Sequence, residues 1–345
     1  MQMTFRDRKI KVFSVLYRDE NIQSYNFENV LDTIRLSDEF NYTGLLLFQS
    51  NRGNLEPWVF AQSVLSNSST LSPFIAVNPV YMHPFTAARK ILSLGSLYQR
   101  KIYLNFITGT SKSDMANLND YLEHDQRYQR LTEYIQIVRH LLTDRKTLKF
   151  KGEYYTVNDL QLSDKLPAEI LPEFFIAGSS ESARKANAFF GSSSFGMAKD
   201  VKYPPSDSLK PPAKQALHFG IVARPDADAA WQRMKELFSG DEMDKAMLDY
   251  SMGNTDSHWK KELHETIHLT ENPVQTTYSL FPFEHFKADC PYHAGSYEEV
   301  AGVLVQHIVN GVDCFVIEIP SAGEFSHVNE VFQLCKSIIQ HRFAI

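Results

Sequence analysis

Apolar runs of strand length recur along this chain, each followed by a segment with apolar residues at helical spacing, and that alternation predicts parallel βα units. Residues 10–16 (IKVFSVL) are β-rich, and Val30, Ile34, Leu36 and Phe40 then recur at helix-like intervals. Residues 44–48, 74–77, 102–107, 174–177, 192–195, 217–223 and 312–319 read as the following strands. Helical spacing returns between them, in Ala87, Ile91, Leu94 and Tyr98, in Tyr128, Leu131, Ile135, Val138 and Leu142, and in Ala183, Ala186 and Phe190. Eight such strands suggest a closed α/β barrel, a (β/α)8 or TIM barrel, more than an open sheet. The 345 residues, 43% of them hydrophobic, are long for one domain unless it is a barrel. We therefore expect one domain over 1–345 with insertions near 199–216, rich in Lys and Pro, and 240–295, which has no steady period. Ser296 followed by Glu299 fits a capping box, so a helix is expected to start there.

Charge narrows the partners. Charged residues are 22% of the chain and the net charge is -6, which argues against a polyanion-binding surface and against nucleic acid as a partner. No stretch approaches the roughly 20 apolar residues of a membrane-spanning helix, and the charged start (Arg6, Asp7, Arg8, Lys9, Lys11) does not fit a signal peptide. Cys290, Cys314 and Cys335 are odd in number and lack metal-type spacing, which fits free thiols and a cytoplasmic location.

In a barrel the working residues sit where strands end, at the C-terminal face. The fifth strand runs into Gly178-Ser179-Ser180-Glu181 just before a helix. Small residues and a helix N-terminus there suit a phosphate; the plainer reading is an N-cap. Asn105 to Thr110 form a polar exit from the fourth strand that either hydrogen-bonds a planar heterocycle or is ordinary turn chemistry. His124 and Tyr128, four apart at a helix start, share a face near its positive end. His264-Glu265-Thr266-Ile267-His268 matches the H-E-x-x-H pattern of zinc hydrolases, but Pro273 follows closely and no third ligand is indicated, so no metal is expected.

These signals occur together in one known order. Asn41-Tyr42-Thr43-Gly44-Leu45, Asn105-Phe106-Ile107-Thr108-Gly109, His124-Asp125-Gln126-Arg127-Tyr128, Gly178-Ser179-Ser180 and Gly311-Val312-Asp313-Cys314-Phe315-Val316 resemble the luciferase-like flavin monooxygenases, particularly their alkanesulfonate monooxygenase branch. Val80 to Pro84, Val201 to Pro204, Phe281 to Glu284 and Cys290-Pro291-Tyr292 look more like the natural-product tailoring subgroup. One departure stands out. The desulfonating enzymes carry a functional His four residues before the Arg that matches Arg224, where this chain has Gly220, with His218 two residues earlier.

The resemblance implies an oxygenase that uses reduced FMN from a separate flavin reductase, and O2, to hydroxylate, N-oxidise or insert oxygen into a small or carrier-protein-bound intermediate. It implies that Gly178, Ser179 and Ser180 hold the FMN phosphate with Tyr128, and that Asn105, Thr108 and His124 lie along the ribityl chain or ring. Substrate would meet Gln49, His83, Phe195 and His218. A relative using deazaflavin F420 remains an alternative, and members of the family often form homodimers. The 240–295 insertion would be a lid; Lys199, Lys202, Lys210 and Lys214 would either dock an acidic carrier protein or form a solvated loop.

Overall fold

Eight parallel strands hydrogen-bond into a closed ring in the computed structural model, which describes residues 3–17, 26–51, 53–201, 214–267 and 276–343. The ring runs β1 (Arg8–Val15), β2 (Gly44–Leu47), β3 (Ser72–Val77), β4 (Tyr103–Phe106), β5 (Glu173–Ala177), β6 (Ser193–Met197), β7 (Gln215–Arg224) and β8 (Cys314–Glu318), and β8 pairs back with β1. This is the expected (β/α)8 barrel. Around it stand α1 (Phe27–Glu39), α2 (Pro57–Asn67), α3 (Pro84–Tyr98), the short α4 (Lys112–Asn117), α5 (His124–Thr143), α6 (Glu181–Phe190) and α7 (Ala227–Phe238). Then come α8 (Glu242–Gly253), α9 (His258–Ile267), α10 (Tyr297–Val309) and α11 (Glu324–Phe343).

Local chemistry sets the helix starts. Pro57 and Pro84 open α2 and α3, where a missing N–H goes unused. Ser296 accepts from the Glu299 N–H while the Glu299 side chain accepts from the Ser296 N–H, so the predicted capping box opens α10. Gly44 is forced by contact: a Cβ there would lie 1.6 Å from the Ser72 carbonyl oxygen of β3.

Inside the barrel, Phe13, Leu46, Phe74, Tyr103, Phe175, Phe195, Ala216 and Val316 point inward from successive strands and fill the bore. Phe74 sits 4.9 Å from Phe13 and 4.8 Å from Phe175, ring centre to ring centre. The bore is therefore packed with side chains. A larger apolar layer, including Ile34, Leu104, Leu131, Ile135 and Val305, joins the barrel to its helices.

The 240–295 segment differs from its aperiodic reading. It holds α8 and α9, and Tyr292–Ser296 forms a further strand parallel to the second half of β7. That run (YHAGS) lacks the β-branched residues that mark a strand, and few positions of α8 and α9 are buried, so neither showed a clear period. A hairpin of Leu148–Lys151 with Thr156–Leu160, also unanticipated, follows α5. Among the described residues no helix is long and apolar enough to cross a membrane. All three cysteines are buried free thiols.

His293, on the added strand, and His307 of α10 lie 6.3 Å apart against Phe219. Burial, with His307 adding a smaller effect, lowers His293 to about 3, and burial lowers His307 to about 4. In the unfolded chain both take up protons near pH 6.5. Their contribution to stability is therefore full above about pH 6.5 and falls with pH below it, by about 1.4 kcal/mol per unit per imidazole. The urea midpoint should drop between pH 7 and pH 5, and His307→Leu should flatten that drop; a variant that tracks the wild-type slope contradicts the assignment.

Candidate active site

Above the aromatic plug lies a cavity of about 440 Å³. It is walled by the C-terminal ends of β2 to β8 and roofed by α8, α9 and the loop between them. Its wall chemistry changes from one end to the other.

At one end β5 turns into α6. Gly178 has φ +118°, and a Cβ there would stand 2.3 Å from the Tyr128 hydroxyl and 3.1 Å from the Ala183 Cβ, so both conformation and space require glycine. Ser180 is the N-cap of α6, its Oγ accepting from the Ala183 N–H at 3.2 Å. The plain capping role is thus real, and it coexists with a half-buried turn of small residues at a helix N-terminus. Tyr128, on α5, donates to the Ala177 carbonyl at 2.8 Å and so ties the first turn of α5 to this strand end. Burial pushes its phenol pKa up, which keeps it protonated and a donor. The His124 ring lies 5.1 Å from Tyr128 and 5.2 Å from His258 of α9, giving this end two imidazoles beside the helix terminus. Such an end suits an anion.

On the cavity wall, Asn105 of β4 is 4% exposed, and its Oδ1 is buried with no hydrogen-bond partner among the described residues. An unpaired buried acceptor on a cavity wall asks for a donor from a ligand. Thr108, also buried, lines the same wall.

At the far end His218 of β7 lies between Phe48 and Phe195, at 5.8 and 5.9 Å. Its Nε2 is 3.9 Å from Oε2 of Glu318, the last residue of β8. Cys290 Sγ donates to the same Oε2 at 2.8 Å. These three ligand-capable atoms all lie within 4.8 Å of one another, the one such trio among the described residues.

The roof is pinned to the barrel by polar contacts. Arg127 meets Asp256 at 2.5 Å, the Thr255 hydroxyl donates to the Thr110 carbonyl, and the Lys112 N–H donates to the Asn254 carbonyl. Lys260, 8% exposed, lines the cavity and pairs with Asp289 at 2.8 Å.

Of the residues singled out in the sequence, Gln49, Asn105, Thr108, His124, Tyr128, Gly178, Ser179, Ser180, Phe195 and His218 all line this one cavity. His83 does not. It is the exposed N-cap of α3, its Nδ1 accepting from the Phe85 N–H and its ring 5.8 Å from Tyr155. The 240–295 segment expected as a lid supplies lining residues such as Asn254 and Lys260, which sequence reasoning did not name individually; it missed Glu318, whose usable signal was a carboxylate ending a barrel strand. His264 lies in α9 and joins no ligand cluster among the described residues, while His268 lies outside them. Lys199 pairs with Glu262, Lys214 donates to the Gly191 carbonyl, and Lys202 and Lys210 lie outside the described residues.

Gly220 has a steric cause. A Cβ there would fall 2.1 Å from the ring of Tyr292, which the added strand lays across β7. Arg224 is absent from the cavity wall and instead makes a bidentate pair with buried Glu324, at 2.7 Å to each oxygen, while Arg233 adds a third contact at 3.1 Å. Burial alone would raise the Glu324 carboxyl; the two guanidinium groups outweigh it and hold it low. Arg224→Met strips the main partner from a buried carboxylate and should cost about 3–5 kcal/mol in urea unfolding. A loss under about 1 kcal/mol, the range of an exposed pair, would contradict this reading.

Residues 10–192 match the luciferase-like monooxygenase family. The chain is 30% identical over 310 residues to the 4-(gamma-L-glutamylamino)butanoyl-[BtrI acyl-carrier protein] monooxygenase BtrO of Niallia circulans, covering 88% of this chain and 90% of that one. It therefore belongs to the luciferase-like monooxygenase family and is an enzyme of that class. Its fold is similar to that of EDTA monooxygenase from Chelativorans sp. BNC1, with a TM-score of 0.67, 15% identity and coverage of 98% and 95%. An F420-dependent secondary alcohol dehydrogenase shares the fold too, with a TM-score of 0.64, 14% identity and coverage of 96% and 99%.

Proposed function

We propose that the chain is a monooxygenase that binds reduced FMN, delivered by a separate flavin reductase, and uses O2 to oxygenate an acyl intermediate carried on a carrier protein or free. The observation that carries this is one cavity lined by a small-residue turn at a helix N-terminus, an unpaired buried amide oxygen and an imidazole 3.9 Å from a carboxylate. Those features suit a phosphate, the N–H edge of a planar ring and a reacting substrate respectively.

The donor set fits the cofactor. The turn at Gly178 and Ser179, with the α6 N-terminus, would hold the phosphate, while Ser180 caps that helix and Tyr128 fixes the turn through Ala177. Asn105, Thr108 and His124 would face the ring and ribityl chain, and Gln49, Phe195 and His218 the substrate. Bound reduced FMN would supply the activation of O2; the protein orients the partners and excludes water. The carrier-bound acyl substrate after which the Niallia circulans relative is named supports an acyl group as the class acted on here.

Anaerobic titration with photoreduced FMN tests the cofactor. Wild type should bind it, and Gly178→Ala should weaken binding at least about tenfold, or about 1.4 kcal/mol. Binding of F420 in place of FMN, with turnover independent of O2, would overturn the assignment. The roof has its own test. Asp256→Asn loosens the contact with Arg127 and should send a larger share of consumed O2 to hydrogen peroxide; unchanged coupling counts against the insertion as a lid.

A further inference from the structure

We propose that Glu318 is the base that removes a proton from the carbon beside the carbonyl of an acyl thioester substrate. The inference rests on the acyl-substrate reading above and adds a chemical role for a residue that reading leaves unused.

Glu318 stands at the C-terminal end of β8, where barrel enzymes keep their reactive groups, and it lines the cavity while only 9% exposed. A carboxylate buried to this degree ordinarily has a cationic or metal partner. Here its contacts are a thiol and an imidazole, and both fall on Oε2. The Cys290 hydrogen bond therefore holds Oε2, with the His218 imidazole 3.9 Å from the same oxygen, and leaves Oε1 for the cavity. The aromatic rings of Phe48 and Phe195 flank His218 at 5.8 and 5.9 Å.

The chemistry asks for such a group. A C–H bond beside a thioester carbonyl can be broken by a positioned carboxylate because the electron pair moves onto the carbonyl oxygen. Balanced, the C–H bond breaks, the proton goes to Glu318 Oε1, the pair forms a carbon–carbon double bond, and the carbonyl π pair becomes an enolate oxygen. That converts an inert methylene into a nucleophile able to take up an activated oxygen. The buried ammonium of Lys260 lines the same cavity, held by Asp289, the neighbour of Cys290 in sequence, and offsets the new negative charge. No oxidant enters this step, so it is measurable without turnover.

The experiment incubates the full-length protein anaerobically in D2O with 4-aminobutanoyl and 4-(gamma-glutamylamino)butanoyl pantetheine thioesters, with and without oxidised FMN, and reads deuterium at the carbon next to the carbonyl by mass spectrometry. Wild type should exchange that position well above the buffer rate. Glu318→Gln should slow exchange about 10²- to 10⁴-fold with unchanged probe affinity and melting temperature, while Cys290→Ser, which keeps a donor to Oε2, should retain most of it. Should Glu318→Gln fail to fold, Glu318→Asp keeps the charge but withdraws it by one methylene, and should slow exchange at unchanged affinity. A probe that binds wild type without exchanging, or exchanges equally in the Glu318 variant, overturns the inference while leaving FMN binding and the acyl reading intact. A probe that does not bind at all overturns the acyl reading and this inference with it. Stoichiometric metal whose removal abolishes exchange would make His218, Cys290 and Glu318 a metal site and overturn it too.

Discussion

The aromatic packing inside the barrel is the constraint on which the rest of the molecule depends. Phe13, Phe175 and Phe195 each pack a ring against Phe74, so aromatic side chains fill the bore. Each such side chain contributes roughly 1.5–3 kcal/mol through burial, and together they fix where the eight strand ends stand relative to one another. Phe195 belongs both to this plug and to the cavity wall above it. The floor of the site is thus the top of the core, and the geometry of one is inherited by the other.

Above that floor, function is divided between rigid ends and a pinned roof. The strand ends bring Asn105, Gly178, His218 and Glu318 to one cavity from β4, the turn after β5, β7 and β8. The roof, from α8, α9 and their connecting loop, is held by polar contacts, from Arg127 to Asp256 and from residues 110–113 to Asn254 and Thr255. On the proposed reading the site keeps a reduced cofactor away from water, and a cover joined by hydrogen bonds opens at smaller cost than a strand.

Much of this was legible in the sequence because the signals were strong and local. Continuous apolar runs such as residues 44–47 identify strands buried on both faces, and the Ser296 to Glu299 box marked the start of α10 from two residues. The Gly178 turn was readable because its position after a strand and before a helix allows few chemistries. What was hidden depended on tertiary packing. The Tyr292–Ser296 strand is defined by its pairing with β7 and not by its residues, and only that pairing explains Gly220. The exclusion of His83 follows from Pro84 and the Phe85 amide, which make it a helix cap. Glu318 acquires meaning only when Cys290 and His218, distant in sequence, are brought against it.

A crystal structure of the protein with FMN tests the central claim most directly. The account predicts the phosphate against the Gly178 and Ser179 amides at the N-terminus of α6, with a ring N–H donating to Asn105 Oδ1. A phosphate seated instead in the neighbouring recess of Arg184, Lys199 and Lys261, with Asn105 making no contact to the ring, would contradict it.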